Sequence, residues 1–201
     1  MNRKLVFPCA LCISALFAGA CSGPRAHTRG EYADPHTIQL LSDHFSENDL
    51  QLIARRMVDS LESSPTIDRI DDQPLIIVGE MRNRTNEHID MSSLADMVRV
   101  QLMHTGKFSF IDRDARREIA EEYEYQQSGY VRRDQATGPG EQHGADYILT
   151  GAISSIVQEA GRDKMIYYKM TMQLTNLETG VIEWADEKEL RKKFRKRSVG
   201  W

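Results

Sequence analysis

Residues 166–174 read Ile-Tyr-Tyr-Lys-Met-Thr-Met-Gln-Leu, and an apolar series alternates with a more polar one along the whole stretch. Successive side chains of a β-strand point to opposite faces of a sheet, so a period of two indicates a strand with one buried face. Tyr167, Lys169, Thr171 and Gln173 are expected on the face away from the core. The core face is expected to carry Ile166, Tyr168, Met170, Met172 and Leu174.

The sequence on either side predicts two more strands. Residues 176–180 are expected to turn the chain, and residues 181–187 to return as a strand with Ile182 and Trp184 on one side. Residues 147–157 come before the alternating stretch and are separated from it by the polar residues 159–164. Three strands joined by short loops form an antiparallel meander.

The part of the chain before the meander begins with a helix and a buried strand. Ser46 is a good N-cap, and the helical pattern that follows it stops at Ser63. Residues 75–78 read Leu-Ile-Ile-Val, a short β-branched run that fits a central strand better than a helix. The helix is expected to bury Leu50, Ile53, Met57 and Leu61.

A second helix, a second strand and a third helix follow. The second helix ends at Gly106, where glycine adopts a left-handed cap at little cost. Residues 108–111 predict a strand, and residues 113–125 a helix. The predicted fold is therefore α+β, a mostly antiparallel sheet packed against helices. The second helix is expected to bury Leu94, Met97, Val98 and Leu102. The third helix is expected to point Ala115, Ile119 and Tyr123 inward.

The first 21 residues have the pattern of a bacterial lipoprotein signal. Arg3 and Lys4 precede an apolar stretch, and residues 18–21 read Ala-Gly-Ala-Cys. Cleavage at such a site leaves a cysteine whose thiol carries lipid, so Cys21 is the expected lipid attachment residue and new N-terminus. Ser22, rather than Asp, is typical of sorting to the outer membrane. We expect a lipid-anchored protein that faces the periplasm; an ordinary secretory peptide or a retained N-terminal helix are the alternatives.

The expected organisation has four parts. Residues 1–20 are the signal peptide, residues 21–44 a flexible tether rich in Gly, Pro, His and charge, residues 45–190 one globular domain, and residues 191–201 a basic tail. Six of residues 191–197 are basic, although the chain as a whole has a net charge of -4. Export excludes nucleic acid as the partner of this tail. A solvated, frayed terminus and a contact with an anionic envelope surface or acidic partner stay open.

No residue pattern in the chain indicates catalysis or metal binding. The three cysteines are Cys9, Cys12 and Cys21, so none belongs to the folded part. The six histidines form no ligand pair, and phosphate-loop, dinucleotide and nucleophile-elbow motifs are absent. We expect no cofactor, no metal and no enzyme activity. The carboxylates Glu118, Glu121, Glu122 and Glu124 fit a solvated helix face.

Four short motifs carry a family resemblance. They are Asn-Arg-Thr-Asn at residues 83–86 after a hydrophobic strand, Gly-Lys-Phe at 106–108, Gly-Ala-Asp-Tyr-Ile-Leu at 144–149 and Glu-Thr-Gly-Val-Ile-Glu-Trp at 178–184. In this order and spacing the chain resembles the LpoB group of outer-membrane lipoproteins. Members of that group are similar in fold to the N-terminal domain of TolB and to curli secretion lipoproteins.

The resemblance implies a regulator of cell-wall synthesis. LpoB proteins bind and stimulate bifunctional class A penicillin-binding proteins, so such a synthase is the expected partner and this chain the expected monomeric activator. A structural or secretion lipoprotein related to the curli secretion subunit is the alternative, and an enzyme or ligand-binding domain is a third. The tether is shorter than in enterobacterial members: fully extended, its residues span at most ~80 Å.

The loop that contains the first motif is the expected partner-binding site. It follows the carboxyl end of a predicted strand, where open sheets often present binding groups. Two interpretations stay open. Asn83 and Thr85 could satisfy backbone groups in a turn while Arg84 pairs with Glu80 or Glu87, or Arg84 could anchor a partner. The candidate residues are Asn83, Arg84, Thr85 and Asn86.

Overall fold

The computed structural model describes residues 34, 37, 38, 40, 42–70, 73–140 and 142–196. The expected signal peptide, Cys21, most of the expected tether and residues 197–201 lie outside the described residues. Apart from Asp34, the described residues belong to one compact unit.

The strands of this unit form one sheet. They are β1 (Leu75–Asn83), β2 (Ser109–Ile111), β3 (Tyr147–Ala160), β4 (Asp163–Asn176) and β5 (Ile182–Arg195). Their order across the sheet is β2-β1-β3-β4-β5. β1 runs parallel to both β2 and β3, whereas β3, β4 and β5 form the antiparallel meander that the sequence predicts. Most paired positions belong to the meander, so the predicted α+β fold is confirmed.

In the described part of the chain three α-helices accompany the sheet: α1 (Glu47–Glu62), α2 (Met91–His104) and α3 (Arg113–Gln127). The Ser46 amide donates to the Asp49 carboxylate at 2.7 Å, which fixes the start of α1 as predicted. Asp90 caps α2 by accepting from the amides of Ser92 and Ser93 at 3.0 and 3.1 Å. Gly106 follows α2 with a φ of 71°, the left-handed conformation expected of it.

The core lies between the sheet and the first two helices. α1 and α2 contact each other, and they reach the sheet through β5, β1 and β2. The five side chains expected on the core face of β4 are all buried. α1 contributes the buried side chains of Ile53, Met57 and Leu61. Leu94, Val98 and Leu102 do the same for α2, so both amphipathic helices are oriented as predicted.

Helix α3 departs from its prediction. Ala115, Ile119 and Tyr123 recur at helical spacing, yet α3 has no buried residue and Ile119 is 37% exposed. The segment after α3 folds back on it, because Thr137 donates to the Gln126 side chain at 2.7 and 2.9 Å. The apolar positions of α3 are thus not part of the core.

Strands β3 and β5 are longer than predicted. The expected polar loop at residues 159–164 is almost wholly strand, with β3 ending at Ala160 and β4 starting at Asp163. β5 continues through Arg195, so residues 191–195 of the expected basic tail belong to the sheet and not to a frayed terminus. Lys192 is buried there and binds Asp49 of α1. The run of basic residues in the sequence gives no indication of this partner.

A candidate interaction surface on the open face of the sheet

The sheet has one face that α1 and α2 cover and one that we call the open face. Cross-strand pairs show which residues share it: Thr150 lies opposite Gln173, and Ala152 opposite Thr171. Thr171 in turn lies opposite Glu187 of β5. These residues alternate along their strands with the buried core, so the open face is the polar half of the same sequence pattern.

A concavity of about 700 Å³ lies on the open face. Its walls come from β1, β3 and β4 and from the loop that follows β1. The lining is polar and carries both signs of charge. The charged residues are Glu80, Arg82, Arg84 and Lys169.

The pairing of β1 with β3 next to the concavity includes a glycine. β1 has a register shift against β3 between Val78 and Met81, and Gly79 lies within it. A Cβ atom on Gly79 would stand 2.8 Å from side-chain carbons of both Ile148 and Thr150, so a larger residue would have to displace those side chains. β1 therefore approaches β3 closely here and carries the chain towards the candidate loop.

The candidate loop is held in one conformation by its own side chains. Asn83, the last residue of β1, accepts from the Thr85 amide at 2.9 Å and from the Thr85 hydroxyl at 2.8 Å, and donates to the Glu87 carbonyl at 2.7 Å. The Arg84 amide donates to the Ile153 carbonyl at 2.8 Å, which extends the pairing of β1 with β3. Asn83 and Thr85 thus satisfy backbone groups in a turn, as one of the two interpretations predicts.

Glu87 fixes the far end of the loop to the core. Its carboxylate accepts from the Tyr168 hydroxyl and from the Phe45 amide, the latter at 2.8 Å, and lies 3.4 Å from Nδ1 of His44. Burial raises the pKa of Glu87, but these donors outweigh burial and hold the pKa below its usual range. Burial and the neighbouring carboxylate raise the pKa of Tyr168.

The Arg84 side chain does not form the local ion pair that the first interpretation requires. Glu80 pairs with Arg82 at 2.8 Å, and Glu87 is engaged by Tyr168. Among the residues that the structure describes, the Arg84 guanidinium has no hydrogen bond or ion pair. It is exposed on a rigid loop at the edge of the concavity, and Asn86 is exposed beside it.

The sequence prediction names only the loop as a candidate site, whereas the structure places other residues beside it around the concavity. Thr150, Lys169 and Gln173 lie 66 or more positions after Arg84 in the chain and meet it only through strand pairing. Lys169 and Gln173 belong to the polar half of the alternation in residues 166–174. That pattern alone predicts exposure to solvent and does not predict a binding surface.

The described residues show no metal cluster. No group of three or more His, Cys, Asp or Glu side chains in that part of the chain could hold an ion. Glu118, Glu121, Glu122 and Glu124 are exposed along α3. None of the helices described there is long and apolar enough to cross a membrane.

Comparison with known protein families assigns the chain to one of them. The family model for the peptidoglycan-synthase activator LpoB matches residues 49–190. The chain belongs to the LpoB family. The match begins in α1 and ends in β5, and it includes the whole candidate loop and every strand that lines the concavity.

Solved LpoB structures resemble this chain at low sequence identity. The LpoB C-terminal domain from Salmonella enterica is 18% identical with a TM-score of 0.44, and the one from Escherichia coli is 19% identical with a TM-score of 0.44. Each comparison covers 71% of this chain and 98% of the other. An NMR structure of E. coli LpoB is 17% identical, with 94% and 92% covered and a TM-score of 0.40. No curated protein sequence matches.

Proposed function

We propose that this protein binds and stimulates a bifunctional class A penicillin-binding protein from a lipid anchor in the outer membrane, on the periplasmic side. Membership of a family of peptidoglycan-synthase activators is the observation that carries the proposal. The same membership favours this role over that of a secretion lipoprotein.

The open face around Arg84 is the proposed docking surface. Asn83 and Glu87 already hold the loop in one conformation, so binding through Arg84 costs little loop entropy. The main conformational cost is the ordering of the Arg84 side chain itself. Arginines in such positions are enriched among the residues whose truncation costs ~2 kcal/mol or more of binding energy. The concavity beside it can receive a protruding segment of the synthase.

Affinity capture with the Arg84→Ala variant tests the docking surface. We expect roughly 30-fold weaker binding to the cognate synthase, which ~2 kcal/mol implies. Thermal stability should be nearly unchanged because the guanidinium has no hydrogen bond or ion pair among the described residues, and the backbone hydrogen bond of Arg84 stays in the variant. Arg99→Ala is the matched control, since Arg99 lies on α2, does not line the concavity and pairs with Asp96 at 2.6 Å.

The outcomes separate the possibilities. Unchanged capture by Arg84→Ala removes this residue from the interface. Equal losses in both variants show an effect of net charge. Failure of the unmodified protein to capture any class A synthase or to raise its rate of glycan polymerisation refutes the function itself.

The lipid anchor has its own test. Cys21→Ser should leave the protein unprocessed or release it from the outer-membrane fraction, because acyl chains supply ~0.8 kcal/mol of anchoring per buried methylene. A Cys21→Ser protein that still fractionates with the outer membrane contradicts the proposed anchor.

A further inference from the structure

The basic residues at the end of the chain form an ordered row on β5. Arg191, Lys193 and Arg195 alternate with Lys192 and Phe194, whose side chains belong to the covered face. The three alternating cations are exposed on the open face, with 61% of the Lys193 and 69% of the Arg195 side chain accessible. Residues two apart in a strand are separated by ~7 Å, so this row is a rigid line of positive charge.

Apolar side chains lie beside this row on the same face. Met165 is opposite Lys193 and Tyr167 is opposite Arg191, while Ile156 of β3 is opposite Tyr167. Ile156 is 58% exposed. We call these six residues the cationic patch: Arg191, Lys193, Arg195, Met165, Tyr167 and Ile156.

The carboxylates near the patch offset only part of its charge. Asp163 accepts from Arg195 at 2.6 and 3.1 Å and lies 3.7 Å from Lys193, and Arg195 lowers the pKa of Asp163 to about 2. Glu189 accepts from the Tyr167 hydroxyl at 2.5 Å. Arg191 has no hydrogen bond or ion pair among the described residues, so the row keeps an excess of positive charge.

The last residues of the expected tether contact the domain at the end of the sheet where the cationic patch lies. Asp43 binds Lys164 at 2.7 Å, and the His44 carbonyl accepts from Lys192 at 2.8 Å. Only the residues between Cys21 and Asp43 would separate the patch from the proposed lipid anchor. The flexible tether that the sequence predicts for these residues would cover ~27 Å on average, so the anchor would keep the domain close to its membrane and raise the effective concentration of headgroups.

We propose that the cationic patch binds anionic phospholipid headgroups of the membrane that carries the anchor. The inference rests on the proposed lipid attachment at Cys21. A row of cations contacts the phosphates, while Ile156, Met165 and Tyr167 contact the interface beside them. The patch includes an open concavity of about 380 Å³, lined in part by Ile156, Met165, Tyr167 and Arg191, and it faces outward as contact with a membrane requires. Tethering makes a weak surface affinity sufficient.

The test uses the full lipidated chain in vesicles of phosphatidylcholine, with or without phosphatidylglycerol. Gln158 lies opposite Met165 and is exposed, so a fluorophore on Gln158→Cys reports contact with brominated lipid by quenching. We expect salt-sensitive quenching only where phosphatidylglycerol is present. Arg191→Gln with Lys193→Gln should reduce the docked-to-free ratio about 30-fold, at about 5-fold for each cation lost near an anionic surface.

Arg132→Gln with Arg133→Gln is the control, because it removes the same charge from exposed positions after α3. Equal quenching in neutral vesicles, or no quenching in chains that float with the vesicles, overturns the proposal. Loss of synthase capture by the Arg191/Lys193 variant without any vesicle contact also overturns it and assigns the patch to an acidic protein. A chain that does not float at all refutes the lipid attachment, while unimpaired synthase capture would leave the activator role intact.

Discussion

The covered face and the open face of the sheet are made from alternate residues of the same strands. In β4 the covered face has Tyr168 and Met170, both fully buried, whereas the open face has Lys169 and Thr171. In β5, Lys192 is buried against Asp49 while Lys193 next to it is 61% exposed. Adjacent positions therefore belong either to the core or to the face on which we propose docking, and substitutions in neighbouring residues can measure the two separately.

The largest expected difference is between Lys192→Ala and Lys193→Ala. Loss of Lys192 leaves the Asp49 carboxylate buried without its cation, which costs about 3–5 kcal/mol. Loss of Lys193 removes a solvated pair and costs about 0–1 kcal/mol. Urea unfolding of both variants measures this. Similar losses of unfolding free energy in the two variants would mean that β5 does not pair with β4 in the described register.

The next difference is between Ile153→Ala and Ser154→Ala in β3. Ile153 is fully buried and its truncation should lower the free energy of unfolding by about 2–5 kcal/mol, because a cavity remains. Ser154 lines the concavity on the open face, and its substitution should change stability by about 0.5 kcal/mol or less. Equal stability losses for the two variants would contradict the assignment of faces.

Tyr168→Phe tests the link from the covered face to the candidate loop. The variant keeps the ring but leaves one oxygen of Glu87 without its donor, which should cost about 1–3 kcal/mol at neutral pH. Hydrogen exchange in residues 84–87 should rise as well. An unchanged loop with unchanged stability would show that Glu87 is not its anchor.

The same variant has a defined pH dependence. The pKa of Glu87 lies below its ordinary value of 4.5 in the folded protein, so its stabilising effect is complete above 4.5 and is lost as pH falls through the folded pKa. The stability difference between the unmodified protein and Tyr168→Phe should therefore shrink on acidification below about pH 4.5. A difference that stays constant to lower pH would exclude the charged form of Glu87 as the cause.

The smallest effect is expected in α3, which belongs to neither face. Ile119→Ser should change the free energy of unfolding by about 0.5 kcal/mol or less, because Ile119 makes no core contact. Leu102→Ser in α2 is the comparison, since Leu102 is fully buried. A large loss in Ile119→Ser would show that α3 packs against the domain in solution.

Local patterns predicted much of this fold. The alternation in β4, the cap at Ser46 and the glycine after α2 each depend on residues within a few positions, and each is confirmed. The candidate loop was predicted in part: the Asn83–Thr85 turn is present, whereas the pairing of Arg84 with Glu80 or Glu87 is not. Glu87 does not pair with Arg84 because it accepts a hydrogen bond from the Tyr168 hydroxyl, 81 positions later in the chain.

The sequence by itself determined most of the helices and strands, the covered face of the sheet and the family, because hydrophobic period, caps and short motifs are local properties. Only the tertiary structure decided that the basic stretch is a strand, that Lys192 turns inward and that α3 stays outside the core. Each of these depends on which distant residue is available: Asp49 pairs with Lys192, whereas among the described residues the apolar positions of α3 have no partner in the core. Burial of a charge or of an apolar stripe is settled by its partner, and chain folding selects that partner.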